Sequence, residues 1–290
     1  MKKLLILSGK GGTGKTTTAA AFIRFANADA IADCDVDAPN LHIVSDVESE
    51  PEDSDFLGSD KSFIDPEKCI GCGKCMEHCR FDAIQKEGNL CKVIDYACEG
   101  CGVCNFVCPV GAASMNPDKA GTLSLYQEPE RVFSTATLRM GRGNSGKLVT
   151  AVKTALTKAA PQAKLAIIDG SPGIGCPVIA SVTGVDMVLI VAEPSLSGMS
   201  DMERILKTTD ILGTKAAVCV NKYDASPETA QKIQQFCQEN SIPFLGKIPY
   251  DKQASKAINA GMSVADFDCP ARDALHRIFN GAMELLGVEL

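Results

Sequence analysis

The sequence predicts an α/β protein built on a doubly wound, mostly parallel sheet, with a small α+β insertion rich in cysteine. Three observations carry that reading. The apolar runs KLLILS, KLAIIDG, VDMVLIVAE and KAAVCVNK are each followed by a Gly- or Pro-containing turn and then a helix-like stretch, the alternation expected of parallel strands covered by helices on both faces. The first run leads straight into GKGGTGKTT. Two sets of four cysteines, Cys69, Cys72, Cys75, Cys79 and Cys98, Cys101, Cys104, Cys108, stand 29 positions apart.

Composition narrows the function classes. With 290 residues, 45% of them hydrophobic, the chain is long enough for one large domain or two smaller ones. A net charge of -7 disfavours nucleic-acid or acidic-membrane binding by general electrostatics, which needs clustered Lys and Arg. Absence of Trp and scarcity of aromatics suit tight helix-on-sheet packing better than a base-stacking surface. The opening MKKLLILSGKGG turns glycine-rich after LLIL, well short of the roughly 7 to 15 apolar residues of a secretion signal. No stretch approaches the roughly 18 apolar residues of a membrane span, so a cytoplasmic protein with no membrane anchor is expected. Fourteen cysteines in that setting point to metal ligation rather than a disulfide framework.

Along the chain, Ser45 to Asp60 carries seven acidic residues and no Lys or Arg, which reads as a solvated linker. The cysteine repeat follows, with FDAI after the first set matched by VGAA after the second. Two copies of one small unit imply a pseudo-twofold module. The strand-and-helix rhythm resumes after about Pro117, so residues 59–117 read as an insertion into a domain formed by 1–58 and 118–290. In RMGRGNSGKLVTAVKTAL, Ser145-Gly146-Lys147 reads as an ordinary capped helix start, with an anion or partner site as the alternative. At the C-terminal end, Leu275, Ile278, Phe279, Ala282 and Leu286 share one helical face that should pack on the domain.

Gly9-Lys10-Gly11-Gly12-Thr13-Gly14-Lys15-Thr16, followed by Thr17, satisfies the phosphate-loop pattern between a strand and a helix. Glycines let backbone N–H groups turn inward around phosphate oxygens, and the helix N-terminus adds the positive end of its dipole. In this reading Lys15 neutralises the β and γ phosphates of ATP and Thr16 holds Mg2+.

Lys10 is the unusual member. A second lysine inside the loop marks the deviant phosphate loops of the MinD, ParA, Mrp and nitrogenase iron protein family, which the chain resembles over nearly its whole length outside the insertion. The resemblance implies that Lys10 reaches the nucleotide of a second subunit, so that ATP joins a homodimer or a heterodimer with a close paralogue. It implies further roles. ADCDVDAPNL looks like the first switch, where Asp35 would orient the attacking water and Asp33 contribute to the Mg2+ shell; a solvated acidic turn is the alternative. IIDGSPG resembles the second switch, where Asp169 would bind Mg2+ through water. VNKYD and IPYD match positions that frame the base, with Asn221 the adenine contact and Pro249 beside it.

Cys-x2-Cys-x2-Cys-x3-Cys lets three close thiolates wrap one corner of an iron-sulfur cube while the fourth crosses to the other cube. On that rule one 4Fe-4S cluster uses Cys69, Cys72, Cys75 and Cys108, and the other Cys98, Cys101, Cys104 and Cys79. The insertion resembles a bacterial two-cluster ferredoxin. Zinc is the competing reading, though two identical four-cysteine runs would partition awkwardly into tetrahedral sites. Where the second run ends Cys108-Pro109, the first ends Cys79-Arg80. His78 and Arg80 thus place potential positive charge near a ligand and would raise the potential of the cluster that Cys79 serves. Of the six remaining cysteines, Cys34, Cys91, Cys219, Cys237 and Cys269 read as small buried hydrophobes. Cys176, seven residues after Asp169, reads as a packing or switch-sensing residue, with a bridging cluster at a dimer axis as the alternative.

The combined expectation is a slow, Mg2+-dependent ATPase whose nucleotide state gates electron transfer through two 4Fe-4S clusters to a redox partner protein. An iron-sulfur carrier of the Mrp kind is the alternative, although Cys219, Cys237 and Cys269 provide no Cys-x-x-Cys near the C-terminal end. A redox-sensing positioning ATPase is a third possibility. An amidoligase reading is weakened because no glutaminase domain is evident.

Overall fold

The computed structural model describes residues 1–45 and 47–289; Asp46, within the acidic stretch expected as a linker, lies outside the described residues. In chain order the elements are β1 (Lys2–Leu7), α1 (Lys15–Ala26), β2 (Ala30–Asp33), β3 (Glu52–Leu57), β4 (Lys61–Ile64), α2 (Lys74–Glu77), β5 (Ile84–Glu87), β6 (Leu90–Val93), α3 (Val103–Val107), β7 (Ala113–Asn116), β8 (Lys119–Gln127) and β9 (Val132–Leu138). There follow α4 (Ser145–Ala159), β10 (Leu165–Asp169), α5 (Cys176–Val182), β11 (Met187–Ala192), α6 (Leu196–Ile211), β12 (Lys215–Asn221), α7 (Pro227–Glu239), β13 (Phe244–Ile248), α8 (Lys252–Asn259) and α9 (Pro270–Leu286).

Nine strands form the main sheet in the order β13-β12-β11-β1-β10-β2-β9-β8-β3. From β13 through β9 every neighbouring pair is parallel. Continuous apolar runs such as Leu4 to Leu7 and Met187 to Ala192 are buried on both faces, as strands between two helical layers must be. On one face α1 and α9 pack together through Phe22 and Phe279, whose ring centroids are 5.1 Å apart, edge to face. Ala19, Ala20 and Ala21 keep the buried side of α1 thin enough for this close layering. As its periodicity predicts, α9 buries Leu275, Ile278, Phe279, Ala282 and Leu286.

The acidic stretch differs from its expected form. Glu52–Leu57 is a strand at the end of the sheet, with its first four side chains exposed. Carboxylates facing water on an edge strand discourage pairing with another chain, and they leave the same compositional trace as a linker. Asp53 accepts from Ser124 Oγ at 2.6 Å, and Asp55 pairs with Lys119 at 2.5 Å.

The chain divides into two compact units, one formed by Met1–Asp53, Leu123–Thr137 and the residues from Gly146 onward, the other by Ser54–Thr122 and Leu138–Ser145. Within the smaller unit the repeat is complete to the level of register. β4 pairs antiparallel with β7, joining Lys61 to Asn116 and Ile64 to Ala113. Twenty-nine positions on or back, β6 pairs antiparallel with β5, joining Leu90 to Glu87 and Val93 to Ile84. The segment 138–145 straps onto the same unit: Arg142, almost fully buried, pairs with Asp95 at 2.5 Å and with Asp118 at 2.9 Å. Among the described residues no helix is long and apolar enough to cross a membrane.

Candidate functional site

Two sites stand out, one in each unit. In the larger unit β1 ends in Leu7, and the loop from Ser8 to Gly14 turns into α1 at Lys15. The turn needs left-handed backbone at Gly12 (φ 77°) and Gly14 (φ 95°). At Gly14 the need is also spatial, since a Cβ there would lie 2.1 Å from Asn221 Nδ2. That amide donates to the Thr13 carbonyl at 2.7 Å, and Lys222 Nζ donates to the Gly12 carbonyl at 3.0 Å. The end of β12 thereby braces the loop. Asp224 Oδ1 accepts from the Tyr250 N–H at 2.8 Å, tying VNKYD to IPYD.

Acidic residues gather where β2 and β10 lie side by side, with Asp33 and Asp169 in register. Both are fully buried. Asp169 accepts from Lys15 Nζ at 2.6 Å and from Thr16 Oγ1 at 2.7 Å. Burial alone would lower the Lys15 pKa, but the carboxylates of Asp169, Asp35 and Asp33 together outweigh it and hold the ammonium above its ordinary value. Asp35 stands 3.8 Å from Lys15 Nζ, and its own pKa is raised, chiefly by burial. The Asp33 carboxylate accepts from the N–H groups of Asp35 at 3.0 Å and of Asn40 and Leu41 at 2.9 Å each. It shapes the loop that presents Asp35. Burial, with the Asp169 charge adding to it, pushes Asp33 up to about 7.

A cavity of about 810 Å3 opens beside these groups, lined by Lys10, Gly11, Gly12, Gly14, Lys15, Thr16, Thr17, Asp35, Asn221 and Pro249. Gly9 lies outside it, packed so closely on Asp201 that a Cβ would meet the aspartate Cβ at 2.1 Å. Thr13 Oγ1 is buried with no partner among the described residues, an orphan group of the kind a phosphate oxygen would satisfy. Lys10 folds back onto Glu193 Oε2 at 2.8 Å and Ser197 Oγ at 3.3 Å. The sequence offered no sign of Glu193, since only the fold brings it to the loop. Cys176 opens α5 and is exposed, which removes the packing role expected of it.

In the smaller unit the eight repeat cysteines line two cavities. Cys69, Cys72, Cys75 and Cys108 share the first with Cys91. Cys79, Cys98, Cys101 and Cys104 share the second with Ser62. Each set of turns relies on glycine. A Cβ on Gly71 (φ 66°) would sit 1.8 Å from the Asn89 carbonyl oxygen, and one on Gly100 (φ 70°) 2.2 Å from that of Asp60. Backbone amides point at the crossing sulfurs, Ala83 N–H to Cys79 Sγ at 3.4 Å and Ala112 N–H to Cys108 Sγ at 3.2 Å. For Cys108 burial works to raise the thiol pKa, but the amides of Val110, Ala113, Ala112 and Gly111 outweigh it and bring it below the usual value. Burial, with a hydrogen bond to Cys91, pushes Cys75 up to about 12. Among the described residues no three His, Cys, Asp or Glu side chains are placed to hold a single metal ion. Thiolates of a cube each meet a different iron, so the donor chemistry and the amides aimed at sulfur are the features that fit one.

Cys34, Cys219, Cys237 and Cys269 are buried as expected. Cys91 is buried too, but in the thiol cavity rather than an indifferent core; its offset of 29 from Ser62 was the available signal. His78 and Arg80 are exposed, His78 bonded through Nδ1 to the Lys74 carbonyl.

Comparison with known proteins agrees with the larger unit's architecture. The solved structure of the septum site-determining protein MinD complexed with Mg-ADP, from Pyrococcus horikoshii, superposes with a TM-score of 0.58 at 17% identity, covering 99% of this chain and 97% of that one. An uncharacterized protein of Methanocaldococcus jannaschii is 30% identical over 98% of this chain and 97% of its own length. A 60-residue stretch, 20% of this chain, is 43% identical to the pyruvate synthase subunit PorD of Methanothermobacter marburgensis, covering 69% of that protein. Residues 4–264 match the CobQ/CobB/MinD/ParA nucleotide binding domain. By its phosphate loop, its parallel sheet and this match, the chain belongs to the CobQ/CobB/MinD/ParA nucleotide-binding family.

Proposed function

We propose that the chain is an ATP- and Mg2+-binding, slowly hydrolysing ATPase whose nucleotide state gates electron transfer through two 4Fe-4S clusters to a redox partner protein. The observation that carries the redox half is the lining of the two thiol cavities, each combining three cysteines of one run with the last cysteine of the other. That grouping is what the crossed ligation of a ferredoxin-like module would require, and we assign the module to residues 59–117. The 60-residue likeness to a pyruvate synthase subunit, about the length of that module, supports an oxidoreductase setting.

Bound clusters would supply one-electron transfer. The chain's part is to enclose them with the thiolates of Cys69, Cys72, Cys75 and Cys108 and of Cys98, Cys101, Cys104 and Cys79, and to aim amides at the crossing sulfurs. At the other site the loop amides from Gly9 to Thr17 would cradle the phosphates, and Lys15 would exchange its bond with Asp169 for phosphate oxygens. Thr16 and Asp169 would hold Mg2+, with Asp33 fixing the loop behind them. Asp35, half-buried and close to Lys15, would position the attacking water. Asn221 and Pro249 would border the adenine. Lys10, freed from Glu193, would reach the nucleotide of a second subunit and join an ATP-dependent dimer, with itself or with a paralogue.

The test is an anaerobic EPR titration of dithionite-reduced protein with ATP, with ADP and without nucleotide, with iron determined on the same sample. Iron near eight per chain, two cubes of about four, together with nucleotide-dependent signals, is the expected result. Full iron with spectra and potentials indifferent to nucleotide would refute gating of the clusters.

A further inference from the structure

The repeat in the smaller unit is symmetric in backbone but not in side chain where it matters to the clusters. Cys104 Sγ lies 3.0 Å from Ser62 Oγ on β4. Its counterpart Cys75 shares its cavity with Cys91 on β6. Ser62 and Cys91 are the same position of the two halves, 29 residues apart, and each lines the cavity of the sulfur it touches. The residue before each differs as well. Lys61 Nζ donates to the carbonyl of Cys98, whereas the equivalent position on β6 is Leu90.

A cysteine ligating iron is a thiolate and only accepts hydrogen bonds. The hydrogen on Ser62 must then turn toward Cys104 Sγ, and that on Cys91 toward Cys75 Sγ. A hydroxyl is the stronger donor, a thiol a weak one. Adding one electron makes a cluster more negative, so a donor or cation beside its sulfurs favours the reduced state and raises the potential.

We propose that Lys61-Ser62 and Leu90-Cys91 set the two cluster potentials apart, the site of Cys98, Cys101, Cys104 and Cys79 being the more easily reduced. The inference rests on the two-cluster reading above. It gives the module a direction: electrons entering at the Cys69, Cys72, Cys75 and Cys108 site run downhill to the other. Ser62 and Cys91 are positioning residues that act through ligand sulfurs.

Midpoint potentials of both clusters, followed by EPR in anaerobic redox titrations, test it in Ser62→Ala, Ser62→Cys, Lys61→Leu and Cys91→Ser variants with iron measured on each. Ser62→Ala should lower one midpoint by about a tenfold change in the reduced-to-oxidised ratio at fixed poise, 59 mV for one electron. Ser62→Cys should lower the same midpoint by less, and Lys61→Leu should lower it too. Cys91→Ser should raise the other midpoint and leave the first in place. Fully loaded variants whose midpoints do not move, or whose two clusters move together, would overturn the proposal; should Ser62→Ala fail to load, Ser62→Cys and Cys91→Ser carry the decision. Unaltered protein that binds no 4Fe-4S clusters would instead overturn the two-cluster reading, so the two failures are told apart.

Discussion

Replacing Asp169 by Asn removes one charge from the centre of the larger unit while preserving its shape. The carboxylate is fully buried and Lys15 is 6% exposed, with 2.6 Å between them. Asparagine can keep its carbonyl oxygen on Lys15 and turn its NH2 to Thr16 Oγ1, which can accept. The loss is therefore one of countercharge. Breaking a buried ion pair by neutralising one partner typically costs about 3–5 kcal/mol. Two neighbours reduce that here: Asp35 stays 3.8 Å from the ammonium, and Asp33 is relieved of the Asp169 charge that helps raise its pKa. A loss of about 2–3 kcal/mol follows. Urea unfolding without nucleotide or Mg2+, comparing Asp169→Asn with the unaltered chain, measures it. Saturating ATP without Mg2+ should narrow the gap, since phosphate oxygens re-pair Lys15 and binding to the folded state adds stability. Destabilisation below about 0.5 kcal/mol, within the range of ordinary surface substitutions, would refute the argument that Asp169 holds Lys15.

Asp33 makes the protein without nucleotide pH-dependent. Its folded pKa of about 7 lies above the ordinary 3.8, so its contribution is complete below the lower value and is lost as pH rises through the higher one, by at most about 1.4 kcal/mol per pH unit. Asp33→Asn should flatten that part of the stability profile between pH 4 and 7; an unchanged slope counts against the assignment. Gly71→Ala and Gly73→Ala both place a side chain at positive φ, at roughly 1–2 kcal/mol each, but only the first drives a Cβ into backbone, 1.8 Å from the Asn89 oxygen. Iron binding should fail in Gly71→Ala and survive in Gly73→Ala, and equal behaviour would mean that the close approach is unimportant. Lys10 and Glu193 are each more than a third exposed, so Glu193→Gln should change stability by less than about 1 kcal/mol while strengthening ATP-dependent dimerisation in sedimentation velocity. Persistence of that dimer in Lys10→Ala would remove the proposed role of Lys10.

What the sequence disclosed depended on how local the cause was. Lys15, Thr16 and the glycines of the loop follow one another, and their pattern has a single backbone solution. The parallel strands announced themselves because burial on both faces leaves unbroken apolar runs. The α9 stripe was visible for a similar reason, one face being buried along the whole helix. The loop-shaping contacts of Asp33 were not legible, because the three aspartates in ADCDVDAP look alike in chemistry and only folding turns one toward the amides of Asn40 and Leu41. Glu193 and Arg142 find partners far along the chain, which no periodicity encodes. The edge strand Glu52–Leu57 was hidden by its own carboxylates. Cys91 shows a different failure, for its partner in the repeat is a serine, and a search for repeated cysteines passes over it.

Strands β2 and β10 set Asp33 beside Asp169, yet all of β3 through α4 lies between them in the chain. During synthesis β2 leaves the ribosome long before its neighbour exists, with a buried-to-be edge waiting. Closing so long a loop costs entropy that grows with the logarithm of its length. Were the intervening segment to fold first, most of that length would be gathered into a compact unit and less of it left to close as a loop. The order of translation and the order of assembly would then coincide, with the small unit, complete once residue 145 has emerged, serving as a clasp that shortens the search by which the two aspartates meet.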